Sequence, residues 1–284
     1  VLENACTPVE NRYTSDFDIC VKNNSETLNL ILENRCSIAR FGDGEFDIIA
    51  GNSIPYQEYN ETLAAELKEI IARQSDTHFM TCLPDVFENQ GRYNEACQSF
   101  WKGHLQAYRQ LYKDVCTAGW YGSTFVSRPY IDLADKSTVT GYFDRLKSLW
   151  DNRDVLIVEG KTTRSGVGND LFDNAKSLVR IIGPSKNAYR AIDRIESKIE
   201  EYGKNKLILL MLGPTAKVIS YHLYKKGYWL IDIGHIDSEY EWYKLGVVEK
   251  VKLPNKHTAE HNYDQDIVFD HDQVYESQIV ATVE

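Results

Sequence analysis

The chain has 284 residues, 43% of them hydrophobic, and a formal net charge of −10. That length fills the core of one large domain or two small ones. The acidic balance excludes a broad basic face for duplex nucleic acid, and no apolar run reaches the roughly 18 residues a membrane span needs.

Residues 1–24 are polar and without period, and read as an irregular N-terminal arm. Ser25 is a candidate N-cap for a helix to about Arg35, with Leu28, Leu30 and Ile31 as apolar positions. Ser37–Phe41 reads as a strand, followed by an acidic loop through Glu45. Helical spacing returns over 61–73, and His78–Cys82 is a short strand stopped by Pro84. Residues 94–114 read as helical and Thr117–Phe125 as a strand. Four strands follow: Val155–Val158, Leu178–Ile182, Leu207–Leu212 and Trp229–Ile233. Helical patterns near 170–176, 187–201 and 215–226 lie between them. This β-α alternation predicts an α/β fold: a Rossmann-like, mostly parallel sheet flanked by helices. One domain is expected over 25–284, with the tail from about 247 wrapping the surface.

Six cysteines are present and none form a CxxC pair. Cys36 and Cys82 sit in apolar runs and read as buried free thiols, which points to a reducing cytosol. A Cys6–Cys20 disulfide is the disfavoured alternative. No secretory leader is visible, so cytoplasmic work is expected, with room for peripheral attachment to a membrane.

Open α/β sheets bind ligands at the carboxyl ends of their strands. Asp43 and Glu45, between Gly42 and Gly44, read as two hard oxygen ligands on one face of an extended segment. The two glycines read as positions for positive φ and close ligand approach. The bland alternative is a solvated Gly-Asp-Gly turn. Gly213-Pro-Thr-Ala-Lys217 opens a helix, where free N–H groups, Thr215 and Lys217 suit a phosphate. The loop 159–168 carries Lys161 and Arg164 and leads to Asn169 and Asp170, a set for a diphosphate or an acceptor hydroxyl. His235 follows the strand Trp229–Ile233 and would complete an oxygen, oxygen, nitrogen set that Mn²⁺ tolerates. Asp232 and Asp237 stand near it as partners. Lys256 and Glu260 bring a phosphate contact and a sugar-hydroxyl contact from the tail. Each set has a plain reading as an ordinary turn or charged loop.

Taken together, these motifs resemble the bacterial glycosyltransferase family with the GT-D fold, first described as a domain of unknown function. The resemblance rests on 39–46, 166–175, 184–188, 212–216, 232–235 and His257-Thr-Ala-Glu260. It implies metal-dependent transfer of a sugar from a UDP-sugar. The family's Asp-any-Glu metal motif falls on Asp43 and Glu45, and a completing histidine on His235. Mn²⁺ or Mg²⁺ is the implied cofactor. A UDP-sugar and a glycan acceptor, protein-borne or lipid-linked, are the implied partners, and glucose is the favoured hexose. Arg40, with Lys217 or the helix start at Thr215, would share the charge of the leaving phosphate. Asp170, Asp237 and Glu239 are the candidates for the catalytic base. A nucleotide-sugar hydrolase and a non-catalytic carbohydrate-binding module are the rival readings.

Overall fold

The structure, a computed structural model, describes residues 16–284 apart from 138, 259, 262, 263, 266 and 270. Most of the expected N-terminal arm therefore lies outside the described residues. In the first half, helix α1 (Asn24–Asn34) leads into strand β1 (Ser37–Arg40), α2 (Asp43–Ile49) and α3 (Glu61–Ala72). Strand β2 (Phe79–Leu83), α4 (Glu95–Ala107), α5 (Arg109–Val115), β3 (Gly122–Ser123) and α6 (Val139–Lys147) follow. The second half runs β4 (Asp154–Gly160), β5 (Ser177–Gly183), α7 (Ile192–Tyr202), β6 (Leu207–Met211), α8 (Pro214–Tyr224) and β7 (Trp229–Asp232). It closes with α9 (Ile236–Leu245), α10 (Gln273–Gln278) and β8 (Ile279–Thr282).

The eight strands make one sheet in the order β3-β2-β1-β7-β6-β4-β5-β8, and every pairing is parallel. All carboxyl ends therefore fall on one edge. Strands β1, β2, β6 and β7 are buried along their whole length, as a parallel sheet covered on both faces requires. Alternation along the strands sorts their side chains between two layers. Ile157, Leu209 and Ile231 pack with Leu28, Phe143 and Trp242 of α1, α6 and α9. Leu156, Leu210 and Leu230 pack with Ile195, Ile199 and Ile219 of α7 and α8.

Helix starts follow local chemistry. Asn23, Asn60 and Asn94 each accept a hydrogen bond from a backbone N–H in the first turn of α1, α3 and α4. Asn23, not Ser25, caps α1, because its Oδ1 reaches Glu26 N at 3.0 Å. The helical pattern over 94–114 is two helices that break at Tyr108. The expected strand over Thr117–Phe125 shrinks to Gly122–Ser123, because Ser123 Oγ accepts from Phe125 N and starts a 3-10 turn. No helix forms at 170–176. Asn169 Oδ1 accepts from Leu171 N and Trp150 Nε1 donates to Leu171 O, so side chains use the backbone groups a helix would need. The tail does not merely wrap the surface, since β8 pairs with β5 as an outer strand.

Cys36 and Cys82 are buried free thiols, but Cys20 is disulfide-bonded, against the expectation. The pairing with Cys6 itself lies outside the described residues. Nearby, Val21 pairs with Tyr121, so this end of the expected irregular arm is tied to the sheet edge.

Candidate active site

A cavity of about 390 Å³ opens at the carboxyl edge of the sheet. The segments after β1, β4, β5, β6 and β7 all reach it. Arg128, beyond β3, and His257, Glu260 and Asp264 of the tail close the far side. Sequence reading overlooked Arg128 because the strand before it is only two residues long.

The acidic motif is not an extended loop. Asp43 and Glu45 occupy the first turn of α2, and neither Gly42 nor Gly44 has positive φ. Carboxylates at a helix start face free N–H groups and the positive end of the dipole. Glu45 Oε2 accepts from Gly42 N at 2.7 Å, and its Oε1 lies 3.0 Å from Lys217 Nζ. Asp43 is crowded instead. Burial, then the carboxylates of Glu260 and Glu45, push its pKa up to about 6.

Lys217 is buried in the first turns of α8. Besides Glu45 it reaches Asp232 Oδ2 at 3.1 Å and Gly213 O at 3.1 Å. Gly213 takes φ +53 at the turn from β6 into α8, with Pro214 in the first turn. Arg40 N donates to Asp232 Oδ2 at 3.0 Å, its Nε to Asp232 O at 2.8 Å and its Nη1 to Thr124 O at 3.1 Å. Glu45, Asp232, Arg40 and Lys217 thus form a buried network with two charges of each sign. Gly234 is required beside it: a Cβ there would sit 1.8 Å from Arg40 Nη2, and its φ is +51.

His235 stands at the N-terminus of α9, its ring centroid 5.2 Å from that of His257. Burial, His257 and Arg128 hold its pKa well below the ordinary value, so the imidazole is neutral at pH 7. His257 Nδ1 lies 2.7 Å from Asp264 Oδ1. Arg128 Nη1 lies 2.6 Å from Glu260 Oε1, and Arg128 Nη2 lies 3.2 Å from Asp132. Arg128, helped by Lys250, holds the Glu260 carboxyl well below the usual range.

Other predicted residues lie outside this cavity's lining. Glu239 is fully buried and accepts from Tyr130 N and Ile131 N. Burial raises its pKa to about 7 against the pull of Arg128, whose Nε is 3.8 Å away. Asp237 accepts from Gly166 N, Asn169 Nδ2 and Lys256 Nζ at 2.7–2.9 Å. Asn169 and Lys256 also bind Glu241, and Lys256 Nζ reaches Val167 O. Asp237, Glu241, Asn169 and Lys256 together clamp the 164–169 loop to α9. Asp170 meets Lys147, Lys244 and Tyr240. Burial would raise its pKa, but hydrogen bonds from Lys244 and Tyr240 hold it at about 2. Thr215 is fully buried beside the cavity, and Lys161 and Arg164 line a neighbouring one.

Among the described residues, no three His, Cys, Asp or Glu side chains form a ready metal cage. Mg²⁺ and Mn²⁺ sites often use one or two carboxylates, with substrate phosphate and water as the other ligands. The Asp43 carboxylate fits that donor set, and His235, whose imidazole is neutral, lines the same cavity.

A family model described as "Glycosyltransferase GT-D fold" matches residues 38–261. The chain is 56% identical over 265 residues to "Probable glycosyl transferase Gly" of Streptococcus gordonii and 54% identical to "Glycosyltransferase GlyD" of Streptococcus pneumoniae. Each match covers 93% of this chain, which spans only 39% and 33% of the length of those relatives. A solved structure described as a new glycosyltransferase from Streptococcus sanguinis superposes with a TM-score of 0.92 at 55% identity, over 94% of this chain and all of the other. A second, described as a domain of unknown function with a distinct glycosyltransferase fold, gives 0.92 at 55% identity over 93% and 95%. With the family model covering most of its length and the fold matching throughout, the chain belongs to the glycosyltransferase GT-D fold family.

Proposed function

We propose that this chain is a metal-dependent glycosyltransferase domain. It moves a hexose, glucose first, from a UDP-sugar to a hydroxyl of a glycan on a glycoprotein adhesin or a surface-polysaccharide precursor. The relatives named as glycosyltransferases support the reaction class. One observation supports the metal dependence. Among the described residues, each Lys or Arg that lines the cavity, namely Arg40, Arg128 and Lys217, is already ion-paired with a carboxylate of the protein. A diphosphate arriving beside Asp43 therefore needs a further positive charge.

Asp43 and His235 would hold that cation, with Glu45 as a third ligand if it releases Lys217. When bound, Mn²⁺ or Mg²⁺ supplies Lewis-acid stabilisation of the leaving diphosphate. Arg40 and Lys217 act through position: their ion pairs fix β1, α2, α8 and β7 around the donor pocket. The free N–H groups at the start of α8 face a phosphate as helix termini do. In the transfer, the acceptor oxygen bonds to the anomeric carbon and the bond from that carbon to UDP breaks. The hydroxyl proton is lost to a base, and UDP leaves.

Mass-spectrometric product analysis with UDP-glucose, Mn²⁺ and neutral acceptor glycosides tests this reading. Glycosylated acceptor formed in step with UDP is expected. Free glucose that no acceptor redirects would favour a hydrolase. UDP binding that survives Asp43→Ala with Glu45→Ala would favour a non-catalytic module.

A further inference from the structure

A second cavity, about 990 Å³, lies beside the first. The two share Thr162, Pro184, Ser185 and Asp264 in their walls. This shared wall is well tied. Thr162 N lies 3.2 Å from Ser185 Oγ, the two hydroxyls are 3.0 Å apart, and His257 N donates to Thr162 O at 2.8 Å. A molecule in the second cavity therefore meets the proposed donor pocket across two hydroxyl groups.

The chemistry of the second cavity differs from that of the first. Among the described residues, Lys161, Arg164 and Lys186 are balanced by Asp264, Glu276 and Glu284. A balanced wall suits a neutral, hydroxyl-rich ligand better than a phosphate chain. Phe269 lines it and is 41% exposed. The Arg164 guanidinium lies 5.3 Å from the centre of that ring and 4.7 Å from that of Tyr275. A planar apolar face set among hydrogen-bonding groups is what a pyranose ring needs, with C–H groups against the aromatic and hydroxyls against the rim.

We infer that this second cavity is the acceptor subsite, holding a neutral oligosaccharide whose reacting hydroxyl crosses the Thr162–Ser185 wall toward the donor pocket. The inference rests on the transferase reading. It gives Lys161 and Arg164 to the acceptor and leaves the UDP-sugar to the first cavity.

Saturation-transfer NMR on the full chain tests it, with cellobiose, lactose and N,N′-diacetylchitobiose as probes and pyrophosphate as the anionic control. Transfer to at least one sugar is expected, weakened about fivefold to tenfold in apparent affinity by Phe269→Ala and kept by Phe269→Trp. In turnover, Phe269→Ala should raise the acceptor KM by the same factor and leave the UDP-glucose KM within about twofold. Sugar signals that ignore Phe269→Ala, their absence from the wild type, or displacement of the sugars by pyrophosphate would each overturn the subsite. Failure of UDP-glucose to bind the wild type would instead overturn the donor reading and leave a glycan groove standing.

Discussion

Asp43 and Glu45 are two residues apart yet chemically unlike. Glu45 is held by Lys217 and by the Gly42 N–H, whereas Asp43 is pushed up to about 6 by burial and like charge. A carboxyl whose folded pKa exceeds its unfolded value destabilises the fold once it ionises. Asp43's own contribution to stability therefore falls as pH rises from about 3.8 to about 6 and stays lower above that window. Asp43→Asn should raise stability at pH 8 by about 1–3 kcal/mol in urea denaturation without metal, and abolish transfer. Below about pH 6, a cation bound as proposed would have to displace the Asp43 proton. Mn²⁺ affinity, followed by calorimetry, should accordingly fall about tenfold per pH unit below about pH 6. The residue pair was visible in the chain. Its asymmetry was not, because the partner Lys217 is far away in sequence and the crowding comes from Glu260 across the cavity.

Among elements, the sheet was the most legible part. Apolar runs such as Leu207–Met211 suit a parallel sheet covered on both faces, and four strands in the second half fall within a residue or two of their expected limits. Elements decided by side-chain capture of backbone groups were not legible. The segment 170–176 loses its helix to Asn169 and Trp150, and the strand before Arg128 is cut short by Ser123. Helix α8 is anchored by a buried charge that no local pattern displays. Lys217 ties it to Glu45 of α2 and Asp232 of β7. Lys217→Ala leaves both carboxylates buried without that cation and should cost about 3–5 kcal/mol in chemical denaturation. Lys217→Gln should recover only part of that loss.

At the scale of the whole molecule, parallel strands place every carboxyl end on one edge, and two neighbouring cavities open there. The convergence of the loops after β1, β4, β5, β6 and β7 could be anticipated from alternation alone. The closing residues Arg128, His257 and Asp264 could not, because long loops set their positions. The tail completes both the site and the sheet. Strand β8 covers the β5 edge, and Val283 is buried behind it. Ending the chain before Ile279 should expose that edge, lower the melting temperature by several degrees and produce concentration-dependent scattering. The proposed donor pocket is probed most directly by calorimetric titration of UDP-glucose with and without Mn²⁺, in wild type and Asp43→Asn. A metal-enhanced affinity in the wild type that Asp43→Asn abolishes is the predicted result. Equal affinity in both proteins, or no binding of any uridine nucleotide, would contradict it.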